Sequence, residues 1–284
     1  MYASTLSHSR SAQALLSLDD VRRVAPSAFA TEKHGSRSEA YTYIPTSQVI
    51  EGMITQGFHP FAASQSRARD AQRREFTKHM IRFRHGAALE KAGYSQPEVV
   101  VVNSHDGTSA YKLFAGIFRS ACLNGLIVAD SMVGSLSVPH KGNIVDKVIE
   151  GSFEVLRGSD AALAKSREWS GLMLTSGEQA AFAEAAHTLR FAGPEGHVET
   201  PIRPDQLLSA RRYGDDGPDL WRTFNRVQEN VIRGGLHGVQ RGPSGRRRNV
   251  TTREIKGIDQ DVRLNRALWT LAERMAELKT GAAA

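Results

Sequence analysis

The stretch that most restricts the fold is residues 98–130, EVVVVNSHDGTSAYKLFAGIFRSACLNGLIVAD, the densest run of β-forming residues in the chain and one that contains its own reversal. Residues 99–103 and 110–119 read as two strands joined through His105, Asp106 and Gly107, because an Asp-Gly pair tolerates the positive φ angles a reversal needs. Val99, Val100, Val101 and Val102 are apolar on both faces. In the return strand Tyr111, Leu113, Ala115 and Ile117 oppose a mixed face of Lys112, Phe114, Gly116 and Phe118. Such strands belong near the centre of a sheet.

The flanking pattern extends that sheet and covers it. Residues 41–44 and 58–64 read as strands around a helix that Thr46 caps, that carries Val49, Ile50, Met53 and Ile54, and that Gly57 ends. In residues 76–85, Phe76, Lys78, Met80, Arg82 and Arg84 alternate with Thr77, His79, Ile81 and Phe83, which predicts a strand with one basic and one partly apolar face. Residues 126–129 add a further strand, for five or six in all. Val145, Val148, Ile149, Ser152 and Leu156 mark a helix over 142–157, continuing as far as Trp169 and covering one sheet face. Ser176 with Gln179 reads as a capping box ahead of a helix over 180–189.

Towards the C-terminus the expected structure is helical. Pro218 opens a helix whose stripe is Leu220, Phe224, Val227 and Val231; Arg222, Arg226, Glu229 and Arg233 follow two residues later, about 200° round at about 100° per residue, which predicts an arginine-rich outer face. Residues 234–249, GGLHGVQRGPSGRRRN, hold five glycines and four arginines and read as a mobile basic loop. Thr251 and Glu254 read as a capping box before a last helix striped by Leu264, Leu268, Leu271, Met275 and Leu278. The expected fold is α+β: a mainly antiparallel sheet built on a central hairpin, covered by helices, with a helical C-terminal section. The expected organisation is a loose arm over 1–38, a core over 39–192 and a C-terminal section over 193–284.

Net charge is +7, and it is clustered. Residues 66–91 contain eight Arg or Lys against three Asp or Glu, and residues 203–256 contain twelve against six, so the rest of the chain is acidic overall. Two basic segments call for a polyanionic partner, and nucleic acid fits first. Cys122 has no second cysteine to pair with, and no stretch is apolar enough to span a bilayer, so a cytoplasmic bacterial protein is expected, with no membrane partner and homo-oligomerisation open.

Three separated motifs, NSHDGTS at 103–109, FRSACLNG at 118–125 and DLWRTFNRVQEN at 219–230 with Gly234 and Gly235 behind it, resemble the phage and plasmid-like proteins of domain-of-unknown-function family 932. The resemblance spans residues 41–278 and implies carriage on bacterial mobile elements. It implies no activity. A hairpin followed by a sheet-covering helix is also similar to the core of phage single-strand annealing proteins.

No reaction is named by these residues. His105 and Asp106 form the most enzyme-like pair, as metal ligands or as acid and base, but a turn asks for Asp and Gly on backbone grounds alone. The other histidines, among them His79, His85, His140, His187, His197 and His237, look scattered. Cys122 reads as a small buried residue in preference to a nucleophile. The glycines of 234–245 lack the Gly-Lys-Ser/Thr ending of a phosphate loop, so no cofactor is expected. Phe114 and Phe118 beside Lys112 read either as core or as a base-stacking face. The expected nucleic-acid contacts are Arg82, Arg84, Lys112, Arg222, Arg226, Arg241, Arg246, Arg247 and Arg248. The expected function is non-catalytic nucleic-acid binding, favouring single-stranded DNA. The alternatives are a metal-dependent enzyme acting on nucleic acid and an adaptor that inhibits a host defence protein.

Overall fold

The computed structural model describes residues 15–32, 35, 43–67, 71–86, 95–119, 124–128, 136–140, 142–193, 195–241 and 246–281. Cys122 and the expected strand residues Tyr41 and Thr42 lie outside them. The chain divides into two compact units, Met1–Leu163 and Ala164–Ala284. The fold is α+β, with antiparallel sheets and a helical C-terminal section.

In the first unit, strands β1 (Phe58–Gln65), β2 (His79–His85), β3 (Ser95–Asn103), β4 (Tyr111–Arg119) and β5 (Asn124–Ile127) form one sheet in sequence order, and β6 (Leu136–Val138) also pairs with β4. All pairings are antiparallel. The predicted hairpin is the centre: Val99 pairs Ala115, Val100 pairs Phe114 and Val101 pairs Leu113. Its connection is longer than a tight turn. Gly107 takes φ of 77°, which a side chain would resist.

Helix α1 (Leu18–Val24) has a complete Ser17–Asp20 capping box, and α2 (Thr46–Thr55) follows it. Helix α3 (Ile144–Gly171) begins in the first unit and continues into the second. A Cβ on Gly52 of α2 would lie 3.1 Å from both Val145 and Ile149 of α3, Phe153 packs edge-on to Phe58 at 5.0 Å, and Ser159 Oγ donates to the Glu98 carbonyl. The sheet-covering helix is thus where the periodicity predicted it.

Three local expectations are corrected here. Residues 15–32 are no loose arm: Leu16 N–H donates to the Pro60 carbonyl, and Val21, Ala25 and Ala28 are fully buried. Tyr43 and Ile44 are not strand. Thr46 is the first helical residue rather than the cap, and its side chain turns inward.

The second unit is built on the end of α3, α4 (Ser176–Phe191), α5 (Leu220–Arg233) and α6 (Ile258–Thr280). The capping box of α4 is Thr175 with Glu178, one residue earlier than the sequence spacing suggested. Trp169 and Trp269 pack at 4.5 Å, with Phe224 edge-on to Trp269 at 5.8 Å, and these rings form the core. Pro218 precedes the true cap, Asp219, whose carboxylate accepts from the Arg222 N–H. The buried stripe of α6 is Leu264, Leu268, Trp269 and Ala272, whereas Leu278 is exposed.

Residues 237–251 overturn the expectation of a loop. They contain two strands, β7 (His237–Arg241) and β8 (Arg247–Thr251), paired in register from His237 with Thr251 to Arg241 with Arg247. These two strands form a sheet of their own. Thr251, expected to cap the last helix, is the final residue of β8; that helix starts instead after Gly257.

Candidate functional site

Alternation along three neighbouring strands places His79, Asn103 and Tyr111 on one sheet face, at one end, beside Ile81, Val101 and Leu113. The N-terminus of α2 brings Thr46 onto them. Its hydroxyl lies 2.9 Å from His79 Nε2, 3.2 Å from His105 Nε2 and 3.1 Å from the donating Asn103 Nδ2. Asn103 Oδ1 is 3.2 Å from His140 Nε2, and Tyr111 donates to the Ile44 carbonyl.

His79 Nδ1 lies 2.9 Å from the Ser27 hydroxyl and 3.2 Å from the Thr77 carbonyl, so the ring is held from both nitrogens. The Tyr111 hydroxyl is also 3.2 Å from Thr46 Oγ1, and four polar side chains thus meet at one hydroxyl, which has a single hydrogen to give and two lone pairs to accept with. His105 Nδ1 is buried without a hydrogen-bond partner among the described residues.

Both histidines are neutral. Burial pushes His79 down to about 4, against the opposing Thr77 carbonyl and Asp106 charge. Burial, then the neighbouring His79 and His140, push His105 down to about 3, with Asp106 opposing. Asp106 serves the turn. Partial burial works to raise its pKa, but hydrogen bonds from the Thr108 hydroxyl and N–H outweigh that and hold it below the usual carboxylate range. His105 is fully buried, so the His105–Asp106 pair does not present an acid–base face to solvent. His79 and His140, which look scattered in sequence, join the same network. Among the described residues no group of three or more His, Cys, Asp or Glu side chains is placed to hold a metal ion.

The predicted phosphate contacts divide sharply. Arg82 and Arg84 are buried on the sheet face opposite the histidines, where Arg82 Nη1 and Arg84 Nε grip the two Glu98 carboxylate oxygens at 3.1 and 2.9 Å. The Arg84 guanidinium is stacked over Phe61 and Phe118 at 4.0 and 3.6 Å. Burial lowers its pKa and Glu98 pushes it back up, so the pair is held together as ions. The basic face of β2 is therefore an internal ion-pair site. Phe114 and Phe118 are buried with it and are core, not a base-stacking surface.

Arg226 is corrected in the same way. Helix α5 is buried nearly all round, and Arg226 donates to the carbonyls of Asp215 and Gly217 at 3.0 and 2.7 Å and to Gln179 at 2.9 Å. Glu229, on the expected outer face, pairs with Arg212 at 2.9 Å. Arg222 is half-exposed and held by Asp219 at 2.9 Å. Lys112 is exposed on β4.

Arg246, Arg247 and Arg248 remain. All three are exposed, and none forms an ion pair among the described residues. Arg241 faces Arg247 in the ladder. Residues 237–251 contain four arginines and no Asp or Glu, so nothing on the ribbon offsets their charge. The near end of the ribbon is fixed: Leu236 and Thr252 exchange backbone and side-chain hydrogen bonds at 2.9 Å, and Gln206 Nε2 donates to the His237 carbonyl.

An α+β sheet with an internal polar network and a separate basic ribbon defines the structural class. The chain belongs to the family described as Domain of unknown function (DUF932), which matches residues 33–269. It is similar to the UPF0380 proteins YafZ and YfjQ of Escherichia coli (strain K12), each 46% identical over 260 residues that cover 92% of this chain and 91% of the relative. No solved structure matches the chain significantly.

Proposed function

We propose that this protein binds nucleic acid without transforming it, and that the β7–β8 ribbon is its contact surface. The observation that carries this reading is the placement of Arg246, Arg247 and Arg248 at the surface of a ribbon without a single carboxylate. Guanidinium forks on an exposed strand suit phosphate oxygens, whereas Arg82, Arg84 and Arg226 are occupied inside the protein. The preference for single strands loses its support, because Phe114 and Phe118 are buried. Carriage on phage- or plasmid-like elements belongs to the same proposal and rests on the motif resemblance.

Titration of labelled nucleic acid across a salt series tests it. With three or four phosphate contacts, the affinity should fall by about three log units per decade of salt. Changing Arg241, Arg246, Arg247 and Arg248 together to serine should cost tenfold or more in affinity with an unchanged melting temperature. Affinity independent of salt, or binding abolished by polyglutamate but not by unlabelled DNA, would point instead to an acidic protein partner.

A further inference from the structure

We infer that the ribbon reads sequence: its outer face enters the major groove of B-form duplex DNA. This rests on the nucleic-acid reading above and adds a groove, a helical form and the residues that discriminate bases. The register fixes two faces. Gly238 with Val250 and Gln240 with Arg248 share one, and His237 with Thr251, Val239 with Asn249 and Arg241 with Arg247 share the other. A Cβ on Gly238 would lie 2.6 Å from the Pro201 carbonyl oxygen, so the Gly238 face looks at the second unit's own chain and only glycine fits there. The opposite face is therefore the outer one. His237, Val239, Arg247, Asn249 and Thr251 on it are all exposed.

Phosphate binding asks only for cations, and it does not account for the rest of that face. Val239 is 53% exposed at the middle of an otherwise polar face, directly opposite Asn249 and two ladder positions from the Arg241–Arg247 pair, its next neighbour on that face. Val239, Asn249 and Arg247 match base edges: an arginine fork suits guanine O6 and N7, an asparagine amide suits adenine N6 and N7, and an apolar side chain packs on the thymine methyl group. The major groove, about 12 Å wide, admits a two-stranded ribbon, whose strands lie about 4.8 Å apart. Other nucleic acids fit less well. Duplex RNA has a deep, narrow major groove that side chains do not read. Single strands are held largely by stacking, and residues 237–251 contain no Phe, Tyr or Trp. Arg248, on the other face, is left for the phosphate backbone at the groove's edge.

The test uses the full chain, with duplex DNA selected from a random pool and duplex RNA of the same sequence. Selection should enrich a defined DNA sequence. Binding to it should be displaced by methyl green, which occupies the major groove, and not by netropsin, which occupies the minor groove. Duplex RNA and single strands should bind at least tenfold more weakly. Arg247→Lys keeps the charge and loses the fork, so it should erase preference at one base position; Asn249→Ala should do the same at a neighbouring position. Arg248→Ser should weaken all duplexes alike. Binding without any enriched sequence, or displaced by netropsin alone, or as tight to RNA or single strands, overturns the groove inference while nucleic-acid binding stands. No binding to any of these nucleic acids overturns both.

Discussion

Four polar side chains depend on the Thr46 hydroxyl or lie against it, so Thr46→Val, which keeps the shape and removes the oxygen, isolates what that oxygen does. Asn103 Nδ2 loses an acceptor, and His79 Nε2, His105 Nε2 and the Tyr111 hydroxyl lose the partner they share. Each buried group left unsatisfied costs about 1–3 kcal/mol, and even with partial relaxation a loss of about 3 kcal/mol is expected in urea unfolding. A change under about 0.5 kcal/mol would show that these groups find other partners once the oxygen is gone. Glu98 is the second such residue. Glu98→Ala strands two buried guanidiniums, and breaking a buried pair in this way typically costs about 3–5 kcal/mol. Neither role is legible in the sequence. Thr46 sits where a cap residue would sit, and the alternation that groups His79 with Asn103 and Tyr111 becomes visible only when the register of three strands is known.

At the level of elements, legibility followed how much of an element's environment is local. The hairpin carries its own turn and its own apolar faces, and α3 carries a long stripe, so both were readable. Helix α5 was not. Periodicity places Arg226 and Glu229 opposite Leu220 and Val227, but it does not say what lies on that side, and here Gln179, Arg212 and the 215–217 carbonyls do. The ribbon is hidden for the opposite reason: its glycines and arginines mask an alternation whose order comes from cross-strand pairing. These two elements make opposed predictions for the same residue type. Arg226→Ala should destabilise the second unit by about 3 kcal/mol, as loss of a buried hydrogen-bonded charge, and leave salt-dependent binding intact in the fraction that folds. Arg246→Ser should leave unfolding unchanged and weaken binding. Thermal melts and binding titrations on the two variants check this; the reverse assignment of effects would place the binding surface on α5.

Across the whole molecule, the groups that titrate internally and the fluorophores that report folding fall in different units. His79 and His105 lie in the first, and Trp169, Trp221 and Trp269, which are all the tryptophans of the chain, lie in the second. The histidines have folded pKa values of about 4 and about 3 against an ordinary value of 6.5. Below pH 6.5 the unfolded chain takes up protons that the folded chain refuses, so stability that is complete above 6.5 is lost as pH falls towards 4 and then 3, on the order of 3 kcal/mol for His79 alone. Asp106, with its pKa held down in the fold, works in the same direction, because its stabilisation disappears as it protonates. The second unit has depressed carboxylates as well, Glu178 and Asp205, but both are solvent-screened surface groups that contribute little. Acid should therefore act on the sheet first. Between pH 6 and 4, strand-derived circular dichroism should be lost while tryptophan emission stays unshifted, and His79→Gln, which keeps a hydrogen-bonding side chain without a titrating ring, should move the first transition to lower pH and leave the second where it was. Coincident transitions by both probes would mean that α3, which is shared by the two units, makes them unfold as one cooperative block. An acid transition unmoved by His79→Gln would assign it to carboxylates instead of the buried ring.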